Sequence, residues 1–215
     1  MNLYLIRHGE CLGQSDPTHY SNPDSPLSVL GEQQAVLTAK HLSRANLSYV
    51  ISSPLIRALA TARPIADLFN LPVLVWTDLR EGFSDYHKGF SLKKLQTEFP
   101  TMQFSEEITE GGWHHGNDLY IDWEIRCKRV LEKLALLPRD SQVAMISHGG
   151  FGNYFLHSVL GLSFKQPIWF ELANGSISHI RFVPNPKDER PDWPLYPPVN
   201  VEVYSINAIA HLGMF

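Results

Sequence analysis

Two histidine-glycine pairs follow short apolar runs in this 215-residue chain. The first run ends in Arg7-His8-Gly9, and a later run ends in Ser147-His148-Gly149. An imidazole can act as a nucleophile or a proton carrier near neutral pH, and a guanidinium binds anions through a planar set of donors. Glycine permits a tight turn and lets backbone N–H groups come close to an anion. The two tripeptides therefore indicate chemistry on an anionic substrate.

Two further side chains occupy comparable positions. Arg57 follows the apolar run 47–52, in the first turn of a predicted helix, and Glu81 follows the run 72–76. Taken singly, a strand-end histidine is more often structural, a first-turn arginine usually caps or faces solvent, and a glutamate is usually a surface residue. The joint pattern favours a site, because histidine-glycine occurs twice and Arg57 stands at a third strand end.

Apolar runs and amphipathic segments alternate along the chain, which predicts an α/β fold. Because strands separated by helices form mostly parallel sheets covered on both faces, we expect a three-layer α/β/α architecture. Ligands bind beyond the carboxyl ends of the strands in such sheets, so the four side chains should converge there. The predicted strands are 2–6, 47–52, 72–76, 142–147, 167–172 and 176–182. The predicted helices are 28–42 with Ser28 as N-cap, 55–69 with a kink or restart at Pro64, 118–137, and 151–160 after a turn at 148–150.

Two segments depart from this alternation. Residues 82–117 are rich in glycine, aromatic and polar residues, and they predict an inserted lid over one end of the sheet. Residues 184–198 are rich in proline and predict an extended surface crossing. Without a linker or repeat, residues 1–215 are predicted to form a single domain.

Composition limits the classes of function. Hydrophobic residues make up 44% of the chain and charged residues 19%, as in folded globular proteins. The formal net charge of -4 disfavours nucleic-acid and anionic-membrane partners, which need an excess of cations. Two cysteines, no signal sequence and no apolar run long enough for a membrane span predict a cytoplasmic protein.

Four blocks of the sequence together resemble the histidine phosphatase superfamily, also called the phosphoglycerate mutase-like family. They are "LIRHGE" (5–10), "SSPLIRALATA" (52–62), Glu81 after "DLR", and "VAMISHGG" (143–150). Weaker similarities are "PLSVLGEQQA" (26–35) and "INAIAHL" (206–212), so the matches run in family order over nearly the whole chain. The resemblance implies the phosphoglycerate mutase-like fold and a small phosphorylated substrate.

The resemblance also implies a role for each matching residue. His8 would attack phosphorus as a neutral imidazole and form a phosphohistidine that water later hydrolyses. Arg7, Arg57 and His148 would bind the phosphoryl oxygens and neutralise their charge. Glu81 would protonate the leaving alcohol and then activate water. No metal or cofactor is implied, since the arginines and a protonated histidine supply the positive charge.

Three more residues fall at positions that bind phosphate in the family. They are Cys11, where relatives usually have Ser or Thr, Gln14, where many have Asn, and Gly149. The substitutions at positions 11 and 14 put the detailed contacts of those two residues in question.

The alternative within the family is phosphoglycerate mutase-type transfer. Mutases of the family carry an arginine pair in the insertion, whereas residues 82–117 contain no arginine and only Lys88, Lys93 and Lys94 as cations. The insertion is instead rich in aromatic residues, which suits a leaving group with apolar area. We therefore expect the phosphatase branch. The remaining substrate candidates are sugar phosphates, nucleotide-pathway monoesters, a cobalamin-pathway phosphate and phosphoprotein.

The sequence disfavours three interpretations outside this chemistry. A non-catalytic module could bind phosphorylated partners through the same residues, but a nucleophile, a phosphate clamp and an acid are all present. Metal binding by His87, His114, His115 and Asp118 lacks the usual ligand spacing, so surface histidines are favoured. The "HGGFGN" stretch (148–153) does not fit a dinucleotide loop, because Phe155 stands where the third glycine is needed.

Overall fold

The computed structural model describes residues 1–82, 87–113, 120–183 and 200–213. Within these residues seven strands form one sheet in the order β4-β3-β2-β5-β1-β6-β7. The strands are β1 (Asn2–Arg7), β2 (Tyr49–Ser52), β3 (Val73–Val75), β4 (Gln103–Phe104), β5 (Gln142–Ser147), β6 (Ile177–Phe182) and β7 (Val201–Ala208).

The sheet is mostly parallel, as predicted. Strands β1 to β5 all run in one direction, β6 pairs antiparallel with β1, and β7 pairs antiparallel with β6. Strand β5 lies between β1 and β2, so the carboxyl ends of these three strands are direct neighbours. This arrangement brings three of the predicted reactive strand ends to one edge.

Helices cover both faces of the sheet, which confirms the α/β/α class. Alternating strand residues divide the core: Ile6 and Val50 belong to one apolar cluster, whereas Leu3, Leu5 and Ile51 belong to the other. Residues of α2 and α3 pack in the first cluster, and residues of α5 and α6 pack in the second. The helices are α1 (Leu12–Ser15), α2 (Val29–Leu42), α3 (Ile56–Phe69), α4 (Leu92–Glu98), α5 (Tyr120–Ala135) and α6 (Gly149–Val159).

Several predicted element boundaries are confirmed. Strand β5 covers the predicted 142–147, and the Ser28 hydroxyl accepts the N–H of Gly31 as the cap of α2. Helix α3 continues through Pro64 as one element, so the predicted alternative of a restart there is wrong.

Other predictions are wrong. Residues 167–172 form no strand, because side chains of α6 bind their backbone: the Phe170 N–H donates to Asn153 Oδ1, and the His157 ring contacts the Ile168 carbonyl. Residues 149 and 150 are the first residues of α6 rather than part of a turn. Strand β7 was not predicted.

The segment 82–117 adds regular structure to the sheet. It contains α4 and the edge strand β4, so the β/α alternation continues where the sequence predicted an interruption. The covering role of the segment stays a prediction, since residues 83–86 and 114–119 lie outside the described residues, as does the proline-rich stretch 184–198. In the described residues, no helix is both long and apolar enough to cross a membrane.

Candidate active site

The carboxyl ends of β1, β5 and β2 form the floor of the candidate site. Arg7 and Ser147 are register partners on β1 and β5, and Ser52 of β2 is a register partner of Ile146. The backbone N–H of His8 donates to the Ser147 carbonyl at 3.0 Å. The strand ends therefore bring Arg7, His8 and His148 together, as the sequence predicted.

His8 is a buried imidazole whose partners define its tautomer. Nδ1 lies 2.6 Å from the Gly9 carbonyl, which can only accept, so Nδ1 carries the proton. Nε2 accepts a hydrogen bond from Arg57 Nε at 3.1 Å. Burial, and next the positive charge of Arg57, lower the pKa of His8 well below the usual 6.5. His8 is thus neutral near pH 7, with a basic nitrogen directed at an arginine.

Arg57 in the first turn of α3 spans the gap between His8 and the chain before α2. Its Nη1 donates to the Pro23 carbonyl at 3.0 Å and lies 3.8 Å from the carboxylate of Asp24. Its Nε holds His8. Its side chain is nearly as buried as the imidazole, so its charge acts at low local dielectric.

His148 and Arg7 lie at the same strand ends as His8. The rings of His148 and His8 have centroids 5.0 Å apart, and His148 Nε2 is 2.7 Å from the Ser53 hydroxyl. Burial, followed by the charge of Arg57, lowers the pKa of His148 well below 6.5. Arg7 Nη1 donates to the Leu172 carbonyl. Among the described residues, Arg7 Nε and His148 Nδ1 are buried without a hydrogen-bond partner.

Glu81 lies on the N-terminus of α6. One carboxylate oxygen accepts the N–H of Gly150 at 3.0 Å, and the other accepts the N–H of Phe151 at 3.1 Å. The partial positive charge of a helix N-terminus stabilises a carboxylate in this place. A Cβ at position 150 would lie 2.5 Å from Glu81 Oε1, so the glycine is what admits this carboxylate.

The turn before Glu81 is anchored to two elements. The Ser147 hydroxyl donates to the Leu79 carbonyl at 2.7 Å, which joins the turn to the end of β5. Asp78 accepts hydrogen bonds from Arg129 Nε at 3.0 Å and from Lys133 Nζ at 3.1 Å, both on α5. These bonds hold Glu81 at the same sheet edge as the histidines.

The two glycines of the histidine-glycine pairs have different surroundings. The Gly9 N–H donates to Thr61 Oγ1 at 3.0 Å, and a Cβ at Gly9 would lie 2.4 Å from the Gly31 carbonyl. The expectation that Gly9 offers its N–H to an anion is therefore wrong, and this glycine instead permits the close approach of α2. Gly149 is the first residue of α6, and a Cβ there would lie 3.4 Å from Arg7 Nε.

Cys11 and Gln14 are hydrogen-bonded to each other and are connected to the His8 backbone through Asn174. Gln14 Oε1 accepts hydrogen bonds from the Cys11 N–H at 3.2 Å, from the Cys11 thiol at 3.4 Å and from Asn174 Nδ2 at 3.1 Å. The same Asn174 nitrogen donates to the His8 carbonyl at 3.1 Å. The role of Cys11 and Gln14 in phosphate binding stays a prediction. The Gln14 carboxamide oxygen is hydrogen-bonded to Cys11 and Asn174 in this structure.

Sequence reasoning did not find four of the residues around the site. Asp24 and Asn174 come from segments without a chemical motif, although the Asn-Gly pair at 174–175 is a turn signal. Thr61 lies within the block 52–62 but was given no role there. The fourth, Arg126, is three residues after Trp123 and therefore falls on the apolar stripe of α5. A charged residue on that stripe was the signal that could have identified it. Its guanidinium carbon lies 4.4 Å from the centroid of the Trp123 ring and 5.5 Å from that of Phe151.

The histidines considered for metal binding are only partly described. His87 packs edge-on against Trp113, with 5.7 Å between the ring centroids, and His114, His115 and Asp118 lie outside the described residues. Within the described part of the chain, no cluster of three or more His, Cys, Asp or Glu is arranged to hold a metal ion.

Comparison with known proteins identifies the family of the chain. The family model of the histidine phosphatase superfamily (branch 1) matches residues 3–189. A probable phosphoglycerate mutase, GpmB, of Serratia proteamaculans is 30% identical over 186 residues, covering 84% of each chain. The protein of the same name from Yersinia enterocolitica is 28% identical over 189 residues, covering 86% of this chain and 87% of that one.

Solved structures share the fold at lower identity. The mycobacterial glucosyl-3-phosphoglycerate phosphatase Rv2419c superposes with a TM-score of 0.68 at 22% identity, covering 97% of this chain and 99% of that one. A phosphoserine phosphatase of Entamoeba histolytica superposes with a TM-score of 0.64 at 22% identity, covering 98% of both chains.

Proposed function

The chain belongs to the histidine phosphatase superfamily (branch 1), and we propose that it is a phosphomonoester hydrolase that forms a phosphohistidine on His8. One observation carries the proposal. The unprotonated Nε2 of His8 lies beside Arg57, while two buried nitrogens, Arg7 Nε and His148 Nδ1, lack a partner among the described residues. A tetrahedral anion between these groups would satisfy all of them.

The first step follows from the tautomer of His8. Nε2 attacks phosphorus, and the bond to the leaving oxygen breaks in line with the attack. Because Nδ1 stays bonded to the Gly9 carbonyl, the imidazolium formed in this step keeps its orientation. Arg7 and Arg57 face the equatorial oxygens, where charge accumulates in the transition state.

His148 completes the anion site. The Ser53 hydroxyl accepts the Leu55 N–H at 3.3 Å, so its own hydrogen is available to His148 Nε2. With that hydrogen bond made, Nδ1 carries the ring proton and becomes a donor to a phosphoryl oxygen. His148 then acts as a neutral donor, which agrees with its lowered pKa and differs from the protonated histidine that the resemblance implied.

Glu81 supplies the proton transfers. In its protonated form it gives a proton to the leaving alkoxide, and as a carboxylate it later removes a proton from the water that attacks the phosphohistidine. Inorganic phosphate and neutral His8 are the products of the second step. No step draws on a metal ion, since two guanidiniums and the histidine donor face the transferring group.

Mutase activity is the second candidate, because the curated relatives are named as probable phosphoglycerate mutases. A mutase must hold a second acidic group of its substrate. Lys94 in the insertion packs over the ring of Phe90 and lies 3.9 Å from Glu98, while Lys93 is exposed. Arg126 on α5 is buried and packs over the rings of Trp123 and Phe151. These surroundings favour hydrolysis over mutase activity.

A panel of phosphomonoesters tests the proposal. We expect phosphate release from an aryl phosphate and from several alkyl phosphates, and a loss of at least about 10³-fold in kcat for His8→Ala. His179→Ala is the matched control, since this half-buried histidine of β6 stacks on Tyr4 away from the strand ends. Efficient isomerisation of 3-phosphoglycerate with a bisphosphoglycerate primer, without phosphate release, would instead identify a mutase.

A further inference from the structure

A buried carboxyl group outside the catalytic set contacts Arg57. Asp24, in the segment before α2, is 1% exposed. Its Oδ1 accepts the N–H of Ile56, the first residue of α3, at 2.8 Å and lies 3.8 Å from Arg57 Nη1. Its Oδ2 is buried without a hydrogen-bond partner among the described residues. The carboxyl therefore joins the start of α3 to the guanidinium of that helix.

The position of Arg57 depends on this contact. The Pro23 carbonyl and Asp24 hold the Nη1 end of the guanidinium, while Nε at its other edge reaches His8 Nε2. A planar guanidinium held at one end presents its remaining donors in a fixed direction. Asp24 thus acts on the nucleophile and the transferring group through Arg57 and touches neither.

The surroundings of Asp24 determine the pH range in which its carboxyl group ionises. Burial raises its pKa from 3.8 to about 7, against the opposing effect of Arg57 and of the Ile56 N–H. On helix α4, Lys94 lowers the pKa of Asp24 and Glu98 raises it. The carboxyl therefore changes its charge within the pH range in which the enzyme would work.

We propose that ionised Asp24 is a positioning residue for Arg57 and that catalytic efficiency falls with the loss of this negative charge on acidification. The proposal rests on the phosphohydrolase function proposed above. A neutral Asp24 still accepts the Ile56 N–H, but it no longer attracts the guanidinium electrostatically. Arg57 is then held by neutral partners only. Because the guanidinium stabilises the transition state, even a small displacement of it lowers the reaction rate.

The ratio of kcat/KM between wild type and Asp24→Asn, measured with 4-nitrophenyl phosphate across pH, tests this directly. Asparagine keeps the Oδ1 acceptor and removes the charge. Ionisation of the substrate affects both proteins alike, so it largely cancels in the ratio. We expect the ratio to be about tenfold above about pH 8 and to approach one below about pH 6, because kcat/KM reports ionisations of the free enzyme.

Two outcomes would overturn the proposal. A ratio that stays above one by the same factor at every pH would indicate a purely structural role, and a ratio of one at every pH would indicate no role. Asp78→Asn is the matched control, because it removes a second buried aspartate whose pKa is lowered rather than raised. Its ratio to wild type should not change over the same pH range.

Folding and the proposed function are checked separately. We expect Asp24→Asn to melt no lower than wild type at about pH 8, since the cost of burying this carboxylate outweighs the effect of Arg57 and of the Ile56 N–H. If that variant does not fold, Asp24→Ser, which keeps a hydroxyl acceptor for the Ile56 N–H, replaces it with the same expected ratio. Full activity of His8→Ala would refute the proposed function, whereas an inactive His8→Ala with a flat ratio would refute only the role of Asp24.

Discussion

At the scale of single residues, the site combines a neutral nucleophile with a carboxylate at a helix N-terminus. The Gly9 carbonyl and Arg57 set the tautomer of His8, so Nε2 is basic where a phosphoryl group would arrive. Glu81 is held by two backbone N–H groups of α6, and only a residue without a Cβ leaves room for it at position 150. Acid catalysis should therefore be sensitive to a single methyl group.

Gly150→Ala should displace Glu81, because the new Cβ would lie 2.5 Å from Oε1. We expect kcat/KM for alkyl phosphates to fall about 10²-fold, whereas that for 4-nitrophenyl phosphate should fall far less, since its leaving group needs no proton. Steady-state kinetics on both substrates measure the difference. Gly111→Ala is the control, because the nearest atom to a Cβ there is 3.6 Å away. Equal losses on the two substrates would argue against Glu81 as the acid.

At the scale of elements, the turn between β3 and Glu81 connects the acid to the rest of the fold. Asp78 in this turn is buried, and it binds Arg129 and Lys133 of α5. Burial alone would raise the pKa of Asp78, but the hydrogen bond from Arg129 and the charge and hydrogen bond of Lys133 lower it on balance. The ion pair thus contributes stability while Asp78 is charged.

Asp78→Asn should lower the free energy of unfolding by about 1–2 kcal/mol at about pH 7, less than for a fully buried pair because Arg129 is half exposed. A carboxyl whose folded-state pKa is depressed stabilises above its unfolded value of 3.8 and loses this contribution as pH falls further. The difference between the two proteins in urea unfolding should therefore shrink below about pH 4. A difference of the same size at both pH values would contradict the ion-pair explanation.

Elements with a strong local pattern could be predicted from the sequence, and those that depend on distant partners could not. The continuous apolar run of β5 and the Ser28 cap needed no tertiary information. Helix α4 has seven residues, too few to show a helical period, and the edge strand β7 is stabilised by pairing with β6 rather than by an apolar run of its own. The run 167–172 is apolar enough for a strand, but side chains of α6 bind its backbone.

The same distinction holds within the site. Arg7, His8, Arg57, Glu81 and His148 could be found because each stands in or after a motif at a strand end. The residues that orient them are Asp24, Ser53, Thr61 and Asn174, and their contacts exist only after the chain has folded.

At the scale of the whole molecule, the sheet edge buries several ionisable groups whose titration has opposite effects on folding stability. Burial lowers the pKa of both His8 and His148, so each favours the neutral form in the folded state. Their contribution is complete above the unfolded value of 6.5 and is lost as pH falls below it. Asp24 has the opposite sign, because its folded-state pKa is raised to about 7.

Just below pH 6.5 the two buried histidines act against the single aspartate, so stability should rise with pH there. His148→Asn should reduce that slope. Urea unfolding of both proteins at several pH values measures it. Wild-type stability that is flat or increases on acidification in this range would show that the two histidines are not held neutral.

The central claim is that Nε2 of His8 carries the phosphoryl group, and rapid acid-free quenching of the enzyme with a labelled aryl phosphate tests it most directly. We predict a base-stable, acid-labile label that forms as fast as turnover and maps by mass spectrometry to His8, with none in His8→Ala. A label on another residue, or unchanged turnover by His8→Ala, would contradict the account.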